Sequence, residues 1–156
     1  QYYRVTSEAI RRYDRNHLIF GDRYEAAEPI PREVVQAALP YVDALCFQHF
    51  ATPERIAANL AHWHKETGKP VFVADSAGNM RGENGAVLHN PKHYPGVLAA
   101  LREVPGAIGY HLCGAYTTNR TRRRGLLDEQ EKPNVEVVAE MTRANREMAA
   151  WVRQQG

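Results

Sequence analysis

Residues 69–79 read KPVFVADSAGN: a proline, four consecutive apolar residues, then one carboxylate, Asp75, where small turn residues begin. The run is too short for a buried helix and is rich in β-branched and aromatic side chains, so it reads as a buried strand. Upstream, Thr52 and Pro53 fit the N-cap and first-turn positions of a helix. Ile56, Leu60 and Trp63 recur at helical spacing, and Gly68 supplies a left-handed stop. The unit is therefore helix, then strand, with a single acid at the strand's carboxyl end.

The same alternation recurs along the chain. A helix-forming stretch 2–17, with Val5, Ile10 and Tyr13 on one side, leads to LIFGDRY (18–24). Pro31 opens a second helix with Val34, Val35, Ala38, Leu39 and Val42 on one face, followed by DALCFQHF (43–50). After a loop over 76–93, YPGVLAALREVPG reads as a helix, AIGYHLC (107–113) as a fourth strand and 134–155 as a long closing helix. In that helix Val138, Met141, Asn145, Met148 and Val152 share a face. The first three strand starts, near 18, 44 and 70, lie 26 residues apart, and the fourth is near 107. Strands separated by helices imply parallel pairing in an α/β fold. The doubly wound sheet and the (β/α)8 barrel both satisfy this pattern.

The 156 residues predict one domain, 1–156. Twenty Lys and Arg against 18 Asp and Glu leave a formal charge of +2, too small to argue for nucleic acid or an anionic membrane. No apolar stretch approaches the ~20 residues of a membrane span. The polar start has no signal-peptide core either, so the expectation is a soluble piece with no compartment assigned. Cys46 and Cys113 lie in apolar runs without CxxC spacing and read as small hydrophobes, not as a zinc site or disulfide framework. No phosphate-binding loop appears, since GENG lacks the Walker lysine, and no cofactor is implied.

The polar residues collect at the carboxyl ends of the strands: Asp22 and Arg23, Gln48 and His49, Asp75, and Tyr110 and His111. In either architecture those ends converge on the ligand-binding face. A bland account stands beside each. Asp22 is equally well a turn cap, Asp75 has an Asx turn as its alternative, and His17 fits helix-end packing. His62 and His64 lie on a helix, and His89 and His93 in a loop. Asp22, His49, Asp75 and His111 are ordinary metal-ligand types, but no HxH or HExxH spacing supports a metal site. The arginines of NRTRRRGLLDEQEKP (119–133) read first as a solvated loop and second as an anion-binding patch.

The segments IRRYDRNHLIFGDRY, LPYVDALCFQHF, LAHWHKETGKPVFVADSAGN and GYHLCGAYTTNRTRRRGLLDEQ together resemble the second half of a retaining glycoside hydrolase barrel of clan A, near its agarase-like and β-galactosidase-like members. The resemblance covers nearly the whole chain, from the helix before strand five to the helix after strand eight. It implies half of a (β/α)8 TIM barrel, carbohydrate as the ligand, and Asp75 at the position of the catalytic nucleophile that ends strand seven. The family pattern ordinarily has glutamate there; this chain has the shorter aspartate. By the same resemblance Asp22, Arg23, Gln48, His49, Tyr110 and His111 line the sugar subsites, with Tyr116 and Asn119 in the loop after strand eight.

Glycoside hydrolysis needs two carboxyl groups, about 5 to 5.5 Å apart for retention or 6.5 to 9.5 Å for inversion. The strand-four acid/base that the resemblance implies has no counterpart in this chain. Glu25, Glu28 and Glu83 are rim-side candidates by location. Four strands also leave two open edges. The expectation is therefore either a piece of a longer enzyme or a homodimer in which strand eight of each copy pairs with strand five of the other. Two rivals remain: a non-catalytic structural or carbohydrate-binding half-barrel, and a metal-dependent hydrolase using His49 and His111.

Overall fold

The computed structural model describes residues 1–77, 79–81, 87–113, 116 and 125–155, with 79–81 and 87–89 described by their backbone. Its elements are α1 (Tyr2–Tyr13), β1 (Arg23–Glu25), α2 (Arg32–Ala38) running into a 3-10 turn (Leu39–Tyr41), β2 (Leu45–Gln48), α3 (Pro53–Thr67), β3 (Val71–Ser76), β4 (Asn79–Arg81), β5 (Val87–His89), α4 (His93–Leu101), β6 (Ala107–Leu112) and α5 (Val135–Gln155). The main sheet has the order β1-β2-β3-β6, and every neighbouring pair is parallel. Each parallel step needs a crossover, and α2, α3 and α4 supply them.

The signals that define α3 act as the sequence predicts. Thr52 Oγ1 accepts from the Arg55 N–H at 3.4 Å, Pro53 opens the helix, and Gly68 ends it at φ 69°, its N–H donating to the His64 carbonyl. On the sheet, Tyr24, Leu45, Phe47, Val71 and Val73 join Val35, Ala38, Ile56, Leu60, Trp63, Val97 and Leu101 of the helices in one core. Fully burying one such side chain contributes about 1.5–3 kcal/mol. A one-residue slip of β2 would take both Leu45 and Phe47 out of that core, so the register is fixed by several kcal/mol.

Packing on one face separates the two architectures left open above. Arg23, Glu25, Cys46, Gln48 and Phe72, which alternate with the core residues along the strands, stay outside the core cluster. A doubly wound sheet would cover both faces with helices; this sheet gives one face to the helices and keeps the other for itself, as an arc of a barrel does. On that inner face Phe72 stacks on Phe20 with ring centroids 5.3 Å apart. Gly109 leaves room for it: a Cβ there would lie 2.9 Å from the Phe72 ring.

Several details differ from the sequence reading. The apolar run 18–24 pairs with β2 only from Arg23 onward, because Gly21 takes φ 72° and Ile19 is tied instead to Asp43. The Ile19 N–H donates to the Asp43 carboxylate at 2.6 Å, and the Asp43 N–H donates to the Ile19 carbonyl at 2.7 Å. The loop expected over 76–93 contains an antiparallel hairpin, β4 with β5. His93, expected in that loop, is the buried first residue of α4, its Nε2 3.4 Å from Ser76 Oγ. The inward stripe of α5 is displaced by about one residue from the expected one. Val137 and Ala144 are buried with Met141, Met148 and Trp151 beside them, while Val138 and Val152 are 37% and 55% exposed. Both stripes obey helical spacing, and the indole of Trp151, beside the Arg102 guanidinium, goes with the observed one. In α1 no residue is buried, and Val5, Ile10 and Tyr13 are exposed. Among the described residues no helix is long and apolar enough to cross a membrane.

Candidate active site

The site begins with a shift in register. Leu45, Cys46 and Phe47 pair in step with Val71, Phe72 and Val73, but Gln48 pairs with Asp75 and skips Ala74. Strict alternation would have put Ala74 on the inner face and turned Asp75 toward the helices. The extra residue reverses this and brings Asp75 into the inner row, a known use of β-bulges beside functional sites. Since Gln48 also pairs with Glu25, residues Glu25, Gln48 and Asp75 form one row across the carboxyl ends of three strands.

Side-chain contacts confirm that these residues share a face. Arg23 reaches across β2 so that its Nη1 donates to Asp75 Oδ2 at 3.0 Å. The Asp75 side chain is 13% exposed against 54% for Arg23, and Asp75 Oδ1 is buried with no hydrogen-bond partner among the described residues. Gln48 Nε2 donates to Glu25 Oε2, and the Ala27 N–H donates to Glu25 Oε1 at 3.1 Å. His111 lies two residues beyond Gly109 on β6 and is exposed, its Nδ1 2.9 Å from the Ala74 carbonyl oxygen. Arg23, Gln48, Asp75 and His111 therefore stand together on the inner rim, with Glu25 as a member for which the sequence offered only location.

The other predicted residues lie elsewhere. Asp22 turns to α1, where the Tyr3 hydroxyl donates to its Oδ2 at 2.6 Å; burial and this bond hold the Tyr3 phenol well above its ordinary range. Both residues border a cavity of about 550 Å³ between α1 and the chain leading into β1. His49 is 4% exposed, and both its ring nitrogens lack partners among the described residues. Its backbone N–H donates to the Asp75 carbonyl at 2.9 Å, which helps hold the bulge. Burial lowers the His49 pKa, the Arg55 charge adds to this, and Glu25 partly opposes it. Tyr110 packs against the core beside Tyr94, ring centroids 5.4 Å apart, and burial raises its pKa. With the exposed Tyr116 and with His111 of the rim it lines a cleft of about 440 Å³ between the end of β6, α4 and α5. Asn119 and Glu83 lie outside the described residues.

The Cys46 thiol donates to the Asp22 carbonyl at 3.2 Å, and burial pushes its pKa up to about 11, which suits packing and not nucleophilic chemistry. Among the described residues no group of three or more His, Cys, Asp and Glu is arranged to hold a metal ion. What the inner rim offers is a carboxylate with one oxygen clamped by a guanidinium and one with no partner among the described residues, bordered by an amide, a second carboxylate and an imidazole.

No family model matches the sequence, and no curated protein sequence is significantly similar to it. Solved structures do match. PfGH50B superposes with a TM-score of 0.76 at 21% identity, over 96% of this chain and 23% of that one. An exo-β-agarase gives 0.74 at 21% identity, over 95% of this chain and 22% of the agarase. An exo-β-1,3-glucanase of family GH128 from Cryptococcus neoformans gives 0.63 at 15% identity, over 89% and 59% of the respective chains. The chain thus spans less than a quarter of the first two. At these identities the likeness is one of fold: the four parallel strands and their helices match a fragment of glycoside hydrolase barrels, as the sequence resemblance implied.

Proposed function

We propose that the chain supplies the inner rim of a glycoside hydrolase site, with Asp75 as the carboxylate at the nucleophile position and Arg23, Gln48 and His111 contacting the sugar. The observation that carries this reading is the bulge at Ala74, which aims Asp75 to the inner face and leaves its Oδ1 buried and, among the described residues, without a partner. An Asx turn would have this carboxylate accept a backbone N–H from the residues that follow, as Asp128 does from Gln130 and Lys132; among the described residues Asp75 accepts only from Arg23. Neighbours described as an agarase, a glucuronidase and a glucanase point to glycosides as the substrate class. Hydrolysis then passes through an oxocarbenium-like state stabilised by the Asp75 carboxylate, while a second carboxyl group, to which no residue is assigned, delivers the proton to the leaving oxygen.

The test is turnover of a panel of aryl glycosides and agar-type oligosaccharides by the wild type and by Asp75→Asn. The reading expects cleavage of at least one substrate and its loss in the variant. Binding that survives Asp75→Asn, with no cleavage by either protein, favours a carbohydrate-binding role. Chelator-sensitive turnover favours the metal reading at His49 and His111.

Among the described residues the outer edges of β1 and β6 pair with no further strand. In our reading a second copy provides the partners, β6 of each chain pairing with β1 of the other, which closes eight parallel strands about a two-fold axis. Light scattering is then expected to give twice the chain mass of 17.7 kDa; a stable species of the single mass overturns the dimer.

A further inference from the structure

Glu25 has no role in the reading above, and the geometry points to one: we infer that Glu25 is the hydroxyl acceptor that fixes the sugar ring opposite Asp75 and so sets specificity. This rests on the proposed function and deepens it.

Three observations converge on Glu25. It occupies the same cross-strand row as Asp75, with Gln48 between them. Two strand spacings separate the two residues, about 9.5 Å between their Cα atoms. With both side chains leaning over the rim, that interval holds one pyranose ring and a hydrogen bond, so an anomeric carbon at Asp75 brings a hydroxyl of the same ring to Glu25. The carboxylate is also pre-set: Ala27 N–H holds Oε1 at 3.1 Å and Gln48 Nε2 holds Oε2. An ionised carboxylate accepts at about four lone-pair positions, so two remain for hydroxyl donors, and no side-chain rotation is needed to present them. Finally, Glu25 is exposed while Gln48 is half-buried, which leaves the acid reachable from the mouth and its anchor fixed below.

Both oxygens already accept an N–H, so the carboxylate is set in place to accept from further donors. Recognition of hydroxyl groups uses that arrangement as it stands.

The experiment measures kcat/KM for p-nitrophenyl β-D-galactopyranoside and its 2-, 3-, 4- and 6-deoxy analogues with wild type, Glu25→Ala and Glu25→Gln, with urea midpoints to show that each variant is folded. A hydrogen bond to a charged group is worth about 10- to 100-fold in binding. The inference expects one deoxy analogue to be poorer by that factor in the wild type. Glu25→Ala should cost about the same on the parent glycoside and add nothing further on that analogue, mainly through KM. Glu25→Gln, which keeps an acceptor oxygen, should recover part of the loss. Unchanged kinetics in Glu25→Ala, or an equal added loss on every analogue, overturns the inference and leaves the proposed function standing. A wild type that neither binds nor cleaves any member of the series, while cleaving other glycosides, overturns the fit of this rim to such rings. Inactivity on every glycoside overturns the proposed function itself, and the role of Glu25 falls with it.

Discussion

If Asp75 is held for a ligand, the fold should gain by losing it. The Asp75 side chain is 13% exposed, Oδ2 has Arg23 at 3.0 Å, and Oδ1 is buried with no partner among the described residues. An ion pair whose cation is half in solvent stabilises by at most about 1 kcal/mol. A buried oxygen left unsatisfied costs about 1–3 kcal/mol. Asp75→Ala removes both effects, so the balance is stabilising by about 1 kcal/mol. Arg23→Ala alone strips the second oxygen of its partner and is expected to destabilise by about 1–3 kcal/mol. In the double variant there is no carboxylate to strand, so it should match Asp75→Ala within about 0.5 kcal/mol. Urea unfolding of the four proteins measures the cycle. If Asp75→Ala destabilises by more than about 2 kcal/mol, Asp75 is a structural cap of the loop that follows, and the reading of the rim is refuted.

Other expectations follow from the same geometry. His49 titrates near 6.5 when unfolded and lower in the fold, because burial and Arg55 disfavour its charged form. The unfolded chain therefore binds the extra proton between the two values. This contribution to stability is fully present above about pH 6.5 and is lost as pH falls through the folded value. Urea midpoints between pH 7.5 and 5 should fall in the wild type and fall less in His49→Leu, which gives up no ring hydrogen bond to the described residues; equal slopes count against it. Gly21→Ala should lower stability by about 1–3 kcal/mol, since φ is 72° and the new Cβ would lie 2.6 Å from Val42 Cγ1; an unchanged thermal midpoint contradicts this. Gly109→Ala is expected to displace the Phe72 ring, 2.9 Å from the new Cβ, and a change in near-ultraviolet circular dichroism checks it.

The alternation of helix and strand was legible because α3 carries its own cap, proline and stop, and because VFVAD, LCFQ and AIGYHL are too short and apolar to read as anything but strands, although β6 contains no buried residue. The convergence of strand ends was legible as well, since parallel strands place all their carboxyl ends together. Facing was not. Along β3 the sequence alternates evenly, and only the skipped Ala74 in the pairing with β2 turns Asp75 inward. The same blindness affected Asp22 and Tyr110, which have the parity of the core residues Tyr24 and Val73. Glu25 could be named only by location, beside Glu28 and Glu83, because its position depends on a register shared with Gln48, a property of two strands jointly. The stripe of α5 was displaced because hydrophobicity alone treats Val138 and Trp151 as comparable, whereas packing favours the larger ring.

The most direct measurement for the account as a whole is a two-dimensional amide spectrum of the 15N-labelled protein, titrated with a glycoside that it recognises. The account predicts saturable shifts at Arg23, Glu25, Gln48, Asp75 and His111, weakened together in Asp75→Asn. Shifts confined to Tyr94, Tyr116 and Asn145 around the outer cleft would contradict it.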